Sequence, residues 1–268
     1  MKTSFKYFGI IALLLLFSTC KQDKDQTDID RTNTSEVSKE IARVEPLDEK
    51  EYLMESDGYI YDIKPRFSTI TKSELQKATS FDDFIGQEHA DRIVKYKSVS
   101  VILLDEDQQT DIRENGNTGK FNSKQLELLR SFDHSTNILI RADYDEKFDF
   151  SEDLFAESWT PHFTIVPETQ TSYSEGVEAL LSEIQEQSKV LWSKINTDNL
   201  KPGRISFTIS KDGTLINISV DNSCGYGHID EKLKSFILNS NGKWIPAKDS
   251  NGLNVDQKLV LSYGALGC

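Results

Sequence analysis

PGRISFTISKDGTLINISVDNSCGYGHIDEKLKSFILNSNGKWIPAKDSNGLNVDQKLVLSY, residues 202–263, is the stretch on which the reading of the fold turns. Ile205, Phe207 and Ile209 fall at every second position, the polar tetrad Lys211-Asp212-Gly213-Thr214 intervenes, and alternation resumes at Ile216, Ile218 and Val220. Two half-buried strands joined by an Asp-Gly turn predict a hairpin. Asp230 then stands where a helix N-cap accepts a backbone N–H, and Leu233, Phe236 and Ile237 repeat at helical spacing until Asn239, Ser240, Asn241 and Gly242 end the helix. A last alternating run puts Leu259, Leu261 and Tyr263 on one side and Lys258, Val260 and Ser262 on the other. The expected fold class is α+β, a small antiparallel sheet packed on helices.

Several of these residues carry a family resemblance. They are Gly203, the Lys211-Asp212-Gly213 turn, Gly225-Tyr226 ahead of Asp230, Lys243-Trp244-Ile245-Pro246-Ala247, and the closing run from Gly252 to Tyr263. Upstream, Ile165-Val166-Pro167-Glu168 and the segment from Ser174 to Leu181 extend the pattern. In order and spacing, residues 159–268 resemble the C-terminal domain of the TonB family of energy transducers. The resemblance implies a domain whose last strand offers unpaired N–H and C=O groups to an extended peptide. Val255, Gln257, Lys258, Leu259, Val260 and Leu261 would form that docking edge, with Lys258 and Val260 outward; the bland alternative is that the strand is covered and docks nothing. The chain departs from the family at Leu191-Trp192, where a Tyr-Pro is common, and it has only six prolines, too few for a periplasm-crossing spacer. Energy transduction in the TonB manner is therefore not expected.

The chain starts with a secretion-signal pattern, Lys2 and Lys6 ahead of an apolar run from Phe8 to Phe17 that is too short to span a bilayer. It ends in Phe17-Ser18-Thr19-Cys20, which resembles the bacterial lipoprotein cleavage box and predicts a signal peptide over 1–20 with lipid on Cys20. Residues 21–50 are rich in Asp, Glu, Lys, Thr and Ser, a composition that reads as a flexible tether. The charged cluster Lys21-Gln22-Asp23-Lys24-Asp25 is either ordinary linker charge or resembles an outer-membrane sorting signal. Lipidation of Cys20 leaves Cys224 and Cys268, an even pair in an exported chain, and a disulfide between them is expected, with two unrelated thiols as the alternative.

Residues 51–158 read as a smaller α+β or β-rich middle domain. Strands are expected around Tyr59, Tyr61 and Ile63, around Val99, Val101 and Leu103, and around Ile138, Ile140 and Ala142, with helices over 73–78 and 123–132 and Ser123 as a cap. Chemistry-bearing motifs are absent: no His-Glu-x-x-His, no Gly-x-Ser-x-Gly, no phosphate loop, no Cys-x-x-Cys. His89, His134, His162 and His228 are scattered singly, and Asp105-Glu106-Asp107 and Asp143-Tyr144-Asp145-Glu146 read as solvated acidic turns before they read as calcium loops. A formal charge of −13 argues against a nucleic-acid partner, whose phosphates require a basic face. No cofactor or metal is implied.

Two functions from different classes are expected of such a chain. The first is a non-enzymatic, membrane-anchored envelope lipoprotein that binds or scaffolds another envelope protein, an outer-membrane barrel or a motility or secretion complex. The second is a ligand-binding or hydrolytic surface lipoprotein with its site in the middle domain or the interdomain cleft, recognisable by a pocket with convergent Asp, Glu or His.

Overall fold

The computed structural model describes residues 59–265. In chain order the elements are β1 (Ile60–Lys64), β2 (Ser68–Thr71), α1 (Lys72–Lys77), a 3₁₀ turn (Phe81–Phe84), α2 (Gln87–Arg92), β3 (Ile93–Asp105), β4 (Gln108–Gly116), α3 (Ser123–Ser131), β5 (Asn137–Lys147), β6 (Leu154–Trp159) and β7 (His162–Val166). Then come β8 (Ser172–Tyr173), α4 (Val177–Trp192), a second 3₁₀ turn (Thr197–Asn199), β9 (Pro202–Ile209), β10 (Leu215–Asn222), α5 (Gly227–Leu238), β11 (Trp244–Ile245), β12 (Ala247–Lys248), β13 (Asn254–Val255) and β14 (Gln257–Gly264). Cys20, the tether at 21–50 and Cys268 lie outside the described residues. Among the described residues no helix is long and apolar enough to cross a membrane.

The expected α+β class is overturned: the described residues hold fourteen strands against five α-helices, two of them only six residues long, and the fold is β-rich. The reason lies in strand length and number. Alternation marked the middles of β3 and β5, which run to thirteen and eleven residues, whereas β4, β6 and β7 gave no signal strong enough to be read.

A larger sheet has the order β2-β7-β5-β3-β4, with β6 also paired to β5; only β2–β7 is parallel. Its core face buries Val99, Val101, Ile138, Ile140, Ala142 and Tyr144 beneath Leu75 of α1, Leu129 of α3 and Phe81 and Phe84 of the 3₁₀ turn. The capping box of α3 starts at Asn122, one residue before the expected Ser123. Asn122 accepts from the N–H of Gln125, and the Gln125 side chain accepts from the N–H of Asn122.

The smaller sheet has the order β1-β14-β9-β10, all antiparallel, with α4 and α5 packed on it. Ile205, Phe207 and Ile209 are fully buried, as their alternation predicts. Gly213 takes a φ of 80° in the expected turn and its N–H donates to the Ser210 carbonyl at 2.8 Å. On β10 the alternation breaks: Asn217 has a φ of 52° at a β-bulge, so Leu215, Ile218 and Val220 reach the core while Ile216 does not.

Asp230 is not the cap of α5, which begins at Gly227. It is 3 % exposed and accepts from Ser223 Oγ at 2.5 Å, Cys224 N–H at 3.0 Å and Tyr263 OH at 2.8 Å, joining the turn after β10, α5 and β14. Burial alone would raise this carboxyl, but the donors outweigh it and hold it below the usual carboxylate range. The Cys224 thiol beside it is free, fully buried and pushed up to about 12, mainly by burial and then by Asp230. Of the expected Cys224–Cys268 pair, this is the only member among the described residues.

The expected docking edge is not an edge. Val255 lies on β13 and pairs with Ala247, while Gln257, Lys258, Leu259, Val260 and Leu261 lie on β14, which pairs along its whole length with β9. The other side of β14 is covered by β1, in register from Ile60 opposite Gly264 to Lys64 opposite Val260, and the Lys258 N–H beyond it donates to Ser135 Oγ at 2.8 Å. β1 was expected in the middle domain. It is held in the smaller sheet because Tyr61 OH meets Ser188 Oγ at 2.5 Å and accepts from Trp192 Nε1, while Tyr59 stacks on the Trp192 ring. β7, read as part of the TonB-like segment, conversely belongs to the larger sheet. The division at 158/159 thus separates neither sheet.

An ionic clamp ties the sheets together. Asp107, at the β3–β4 turn, accepts two hydrogen bonds at 2.8 Å from Arg66, which lies between β1 and β2, and one at 2.7 Å from Arg204 of β9. All three side chains are partly screened, between 20 % and 35 % exposed.

Two outcomes follow for stability. Asp230 has a depressed folded pKa, so its contribution is complete above the ordinary carboxylate value of about 4 and is lost as pH falls below it, because the unfolded chain takes up the proton first. Chemical unfolding at stepped pH will show stability declining below pH ~4 and a shallower decline in Asp230→Asn; Asp230→Ala, which strands buried donors, will cost about 3 kcal/mol at pH 7. Asp107→Ala will cost about 1 kcal/mol, and that loss will shrink as salt is added, since the clamp is partly solvated.

Candidate functional site

Alternation along β5 decides what its neighbour β6 can offer. The Ile140 N–H donates to the Pro161 carbonyl at 3.1 Å, and Thr136 accepts from the Ile165 N–H at 2.9 Å, so even-numbered residues of β5 turn their backbone groups toward β6 and β7. In the β5–β6 register Ala142, Tyr144 and Glu146 face Trp159, Glu157 and Phe155. Those three residues of β6 therefore hydrogen-bond to β5, and Leu154, Ala156 and Ser158 turn their N–H and C=O groups outward. Pro161 separates β6 from β7. No strand pairs with the outer side of β6 among the described residues.

Every residue of β6 is exposed. Leu154 is 54 %, Phe155 37 % and Trp159 50 % exposed, and Phe150 in the β5–β6 connection is 81 % exposed. The rings are mutually packed: Phe150 stacks on Phe148 at 5.2 Å, and Phe155 meets Phe148 edge-on at 5.6 Å. This is a contiguous aromatic patch rather than scattered single residues, the arrangement that marks interaction surfaces on soluble chains.

Beneath the patch lies a buried polar cluster that positions α2. His89 Nε2 shares a hydrogen bond of 2.7 Å with Tyr144 OH and lies 3.9 Å from Glu146 Oε2; its ring also packs edge-on against Trp159 at 5.4 Å. Arg92 sits over the Phe148 ring and 3.6 Å from Glu146 Oε2. Burial pushes the Tyr144 phenol up to about 12, the Glu146 and Glu157 carboxylates adding to it and Arg92 opposing. The hydrogen bond between this phenol and His89 holds α2 against the sheet.

Concave alternatives are spent on structure. The cavity between the two sheets, lined by Arg66, Asp107, Ser135, Arg204, Asp221 and Lys258 among others, encloses about 30 Å³, room for no more than a few waters, and the Asp107 clamp is part of its wall. An open groove of about 450 Å³ between α1 and the 3₁₀ turn has Ile70, Phe84 and Phe163 on its walls with Glu74 and Asp83 at its rim. Glu74 is held below the usual range first by the Thr71 N–H it caps; in Asp83, burial is outweighed by the Thr79 and Ser80 donors. Both ionisations serve capping.

The acidic runs considered for calcium are likewise engaged. Asp107 is clamped by arginines, Asp143 pairs with Ser98 and Arg141, Asp145 with Lys97, and Glu146 with Arg92; among the described residues no group of His, Cys, Asp and Glu forms a metal-binding cluster. Trp244 and Trp192 are core residues, whereas Trp159 is the exposed one of the three. Sequence reasoning missed β6 because both its faces are solvated, so Leu154, Phe155 and Trp159 follow no period of two. Four aromatics in the acidic stretch 148–159, three of them exposed, were the available signal. In comparisons with protein-family models, with curated proteins and with solved structures, nothing matches this chain.

Proposed function

We propose that this chain is a lipid-anchored protein of the cell envelope whose work is non-enzymatic: it binds or scaffolds another envelope protein, such as an outer-membrane barrel or a motility or secretion complex. The observation that carries the reading is the exposed apolar edge at β6 with its aromatic patch, which offers area for a protein contact. The hydrolytic alternative needs a ligand-sized enclosure with convergent acids or histidines; the cavity of about 30 Å³ is lined by ion pairs, and the hollows of about 450, 560 and 470 Å³ are open grooves lined by no histidine. The lipoprotein-like box at Cys20 supports the envelope setting, and energy transduction is no part of the proposal.

In this reading the recognition surface moves from the last strand to β6. Phe155 and Trp159 supply rigid rings at modest entropic cost, the residue types that dominate binding hot spots. Their exposure is costly in the free chain, since roughly 25 cal/mol per Å² of apolar area is forgone by leaving it in water, and a partner covering the patch recovers that term.

The test is a pull-down with the full chain from its own envelope fraction, followed by identification of the retained protein and reconstitution from the two purified components. Phe155→Ser with Trp159→Ser will weaken the reconstituted complex at least about tenfold, the effect of losing hot-spot aromatics, while circular dichroism stays unchanged. Unaltered affinity in the double variant, or no complex from purified components, overturns the reading.

A further inference from the structure

The way in which β6 is left open is itself selective. The two larger sheets have four edges besides β6, and each is blunted. β1 spans five residues and ends in the Asp62–Lys64 ion pair, β2 has four residues, β4 carries Asp111, Arg113 and Glu114 with a register shift against β3, and β10 is bent by the bulge at Asn217. Short length, charge and bulges are how proteins keep sheet edges from pairing with other chains. β6 is the least protected of them: its ladder to β5 runs six residues without a register shift, its one charged residue is Glu157, and it contains no proline and no lysine. Its outward N–H and C=O groups at Leu154, Ala156 and Ser158 form an unblocked template for one more strand.

We infer that β6 accepts an extended peptide segment of its partner by strand addition, and that the segment alternates aliphatic with basic side chains. The inference rests on the protein-binding reading above and names its chemistry. Side chains of an added strand fall alternately beside the two faces of β6. On one face they meet Leu154 and Ala156, which suit aliphatic groups. On the other they meet Glu157 flanked by the Phe155 and Trp159 rings, which suits a lysine or arginine through charge and cation–π attraction. The surroundings reinforce the sign: residues 141–159 hold seven carboxylates against two cations. Arg141 and Lys147 are both already in ion pairs, with Asp143 and Glu152, whereas Asp149, Asp153 and Glu157 have none among the described residues. The same acidity disfavours a second copy of this chain as the occupant, because antiparallel self-pairing of β6 would bring two acidic rims together.

The probe is an acetylated, amidated peptide alternating lysine and valine over the length of β6, with a glutamate–valine peptide as its charge-reversed counterpart; binding to the full chain is read by fluorescence anisotropy. The lysine–valine peptide will bind the wild type and the glutamate–valine peptide will not. Ala156→Pro removes an outward N–H without touching the β5 ladder, so it will weaken binding at least about tenfold with thermal unfolding unchanged. Glu157→Lys, a change at an exposed side chain, will shift preference toward the glutamate–valine peptide. Equal binding of both peptides, or indifference to Ala156→Pro, overturns the inference. So does a wild-type dimer in sedimentation that Ala156→Pro converts to monomer, which would make a second copy the occupant. If a reconstituted partner is lost in the Phe155→Ser, Trp159→Ser variant but retained in Ala156→Pro, docking uses the aromatic face alone: strand addition fails and the protein-binding reading stands.

Discussion

The ladder between β1 and β14 is the contact on which the arrangement of this chain depends. It pairs residues about two hundred positions apart, Ile60 opposite Gly264 through Lys64 opposite Val260, and it turns what would be the terminal strand of a hairpin-based sheet into an interior one. Closing so long a loop is entropically expensive but grows only logarithmically with length. The Tyr61–Ser188–Trp192 hydrogen bonds and the Tyr59–Trp192 stack supply the local enthalpy that fixes the incoming strand against α4. Once β1 is in place, the chain must return through Arg66 to the larger sheet, and the Arg66–Asp107–Arg204 clamp ties the two sheets at that crossing.

Ionisable groups in this molecule are largely committed to holding elements together. Asp230 gathers Ser223, Cys224 and Tyr263, and Asp107 gathers two arginines. His89, Tyr144, Glu146 and Arg92 anchor α2. Each is a small polar network in which removal of one member strands the others, which makes such groups costly to lose without making them catalytic. Perturbed ionisation is a pointer to active sites only when no capping or packing role explains it. For Glu74, Asp83 and Asp230 the explanation is on hand in the backbone and side-chain donors each carboxylate accepts.

Against this background β6 stands out by being uncommitted. Its side chains are exposed on both faces, its outer backbone groups have no strand partner among the described residues, and its aromatic neighbours pack on one another rather than into a core. Other edges of the two sheets are short, charged or bulged. A surface so unlike its surroundings is where the free energy of an intermolecular contact is most readily gained, since apolar area and backbone hydrogen bonds are both available.

Read alone, the amino-acid sequence determined those features that depend on neighbours a few residues apart. The β9–β10 hairpin with Gly213 in its turn, the apolar face of α5 and the middles of β3 and β5 all followed from alternation and turn chemistry, because each is set by local backbone preference and by one face meeting a core. Tertiary structure decided the rest. The β-rich class depended on strands such as β4 and β6 whose exposed faces leave no periodic mark, and the bulge at Asn217 reversed the expected orientation of Ile216. Whether β14 was an edge turned on β1, a partner two hundred residues away, which no local pattern in Val255–Leu261 encodes. The candidate site is legible in sequence only as an acidic stretch with four aromatics. That three of those rings remain in water beside an open strand edge is a property of what does not pack against them, and only the folded chain fixes that.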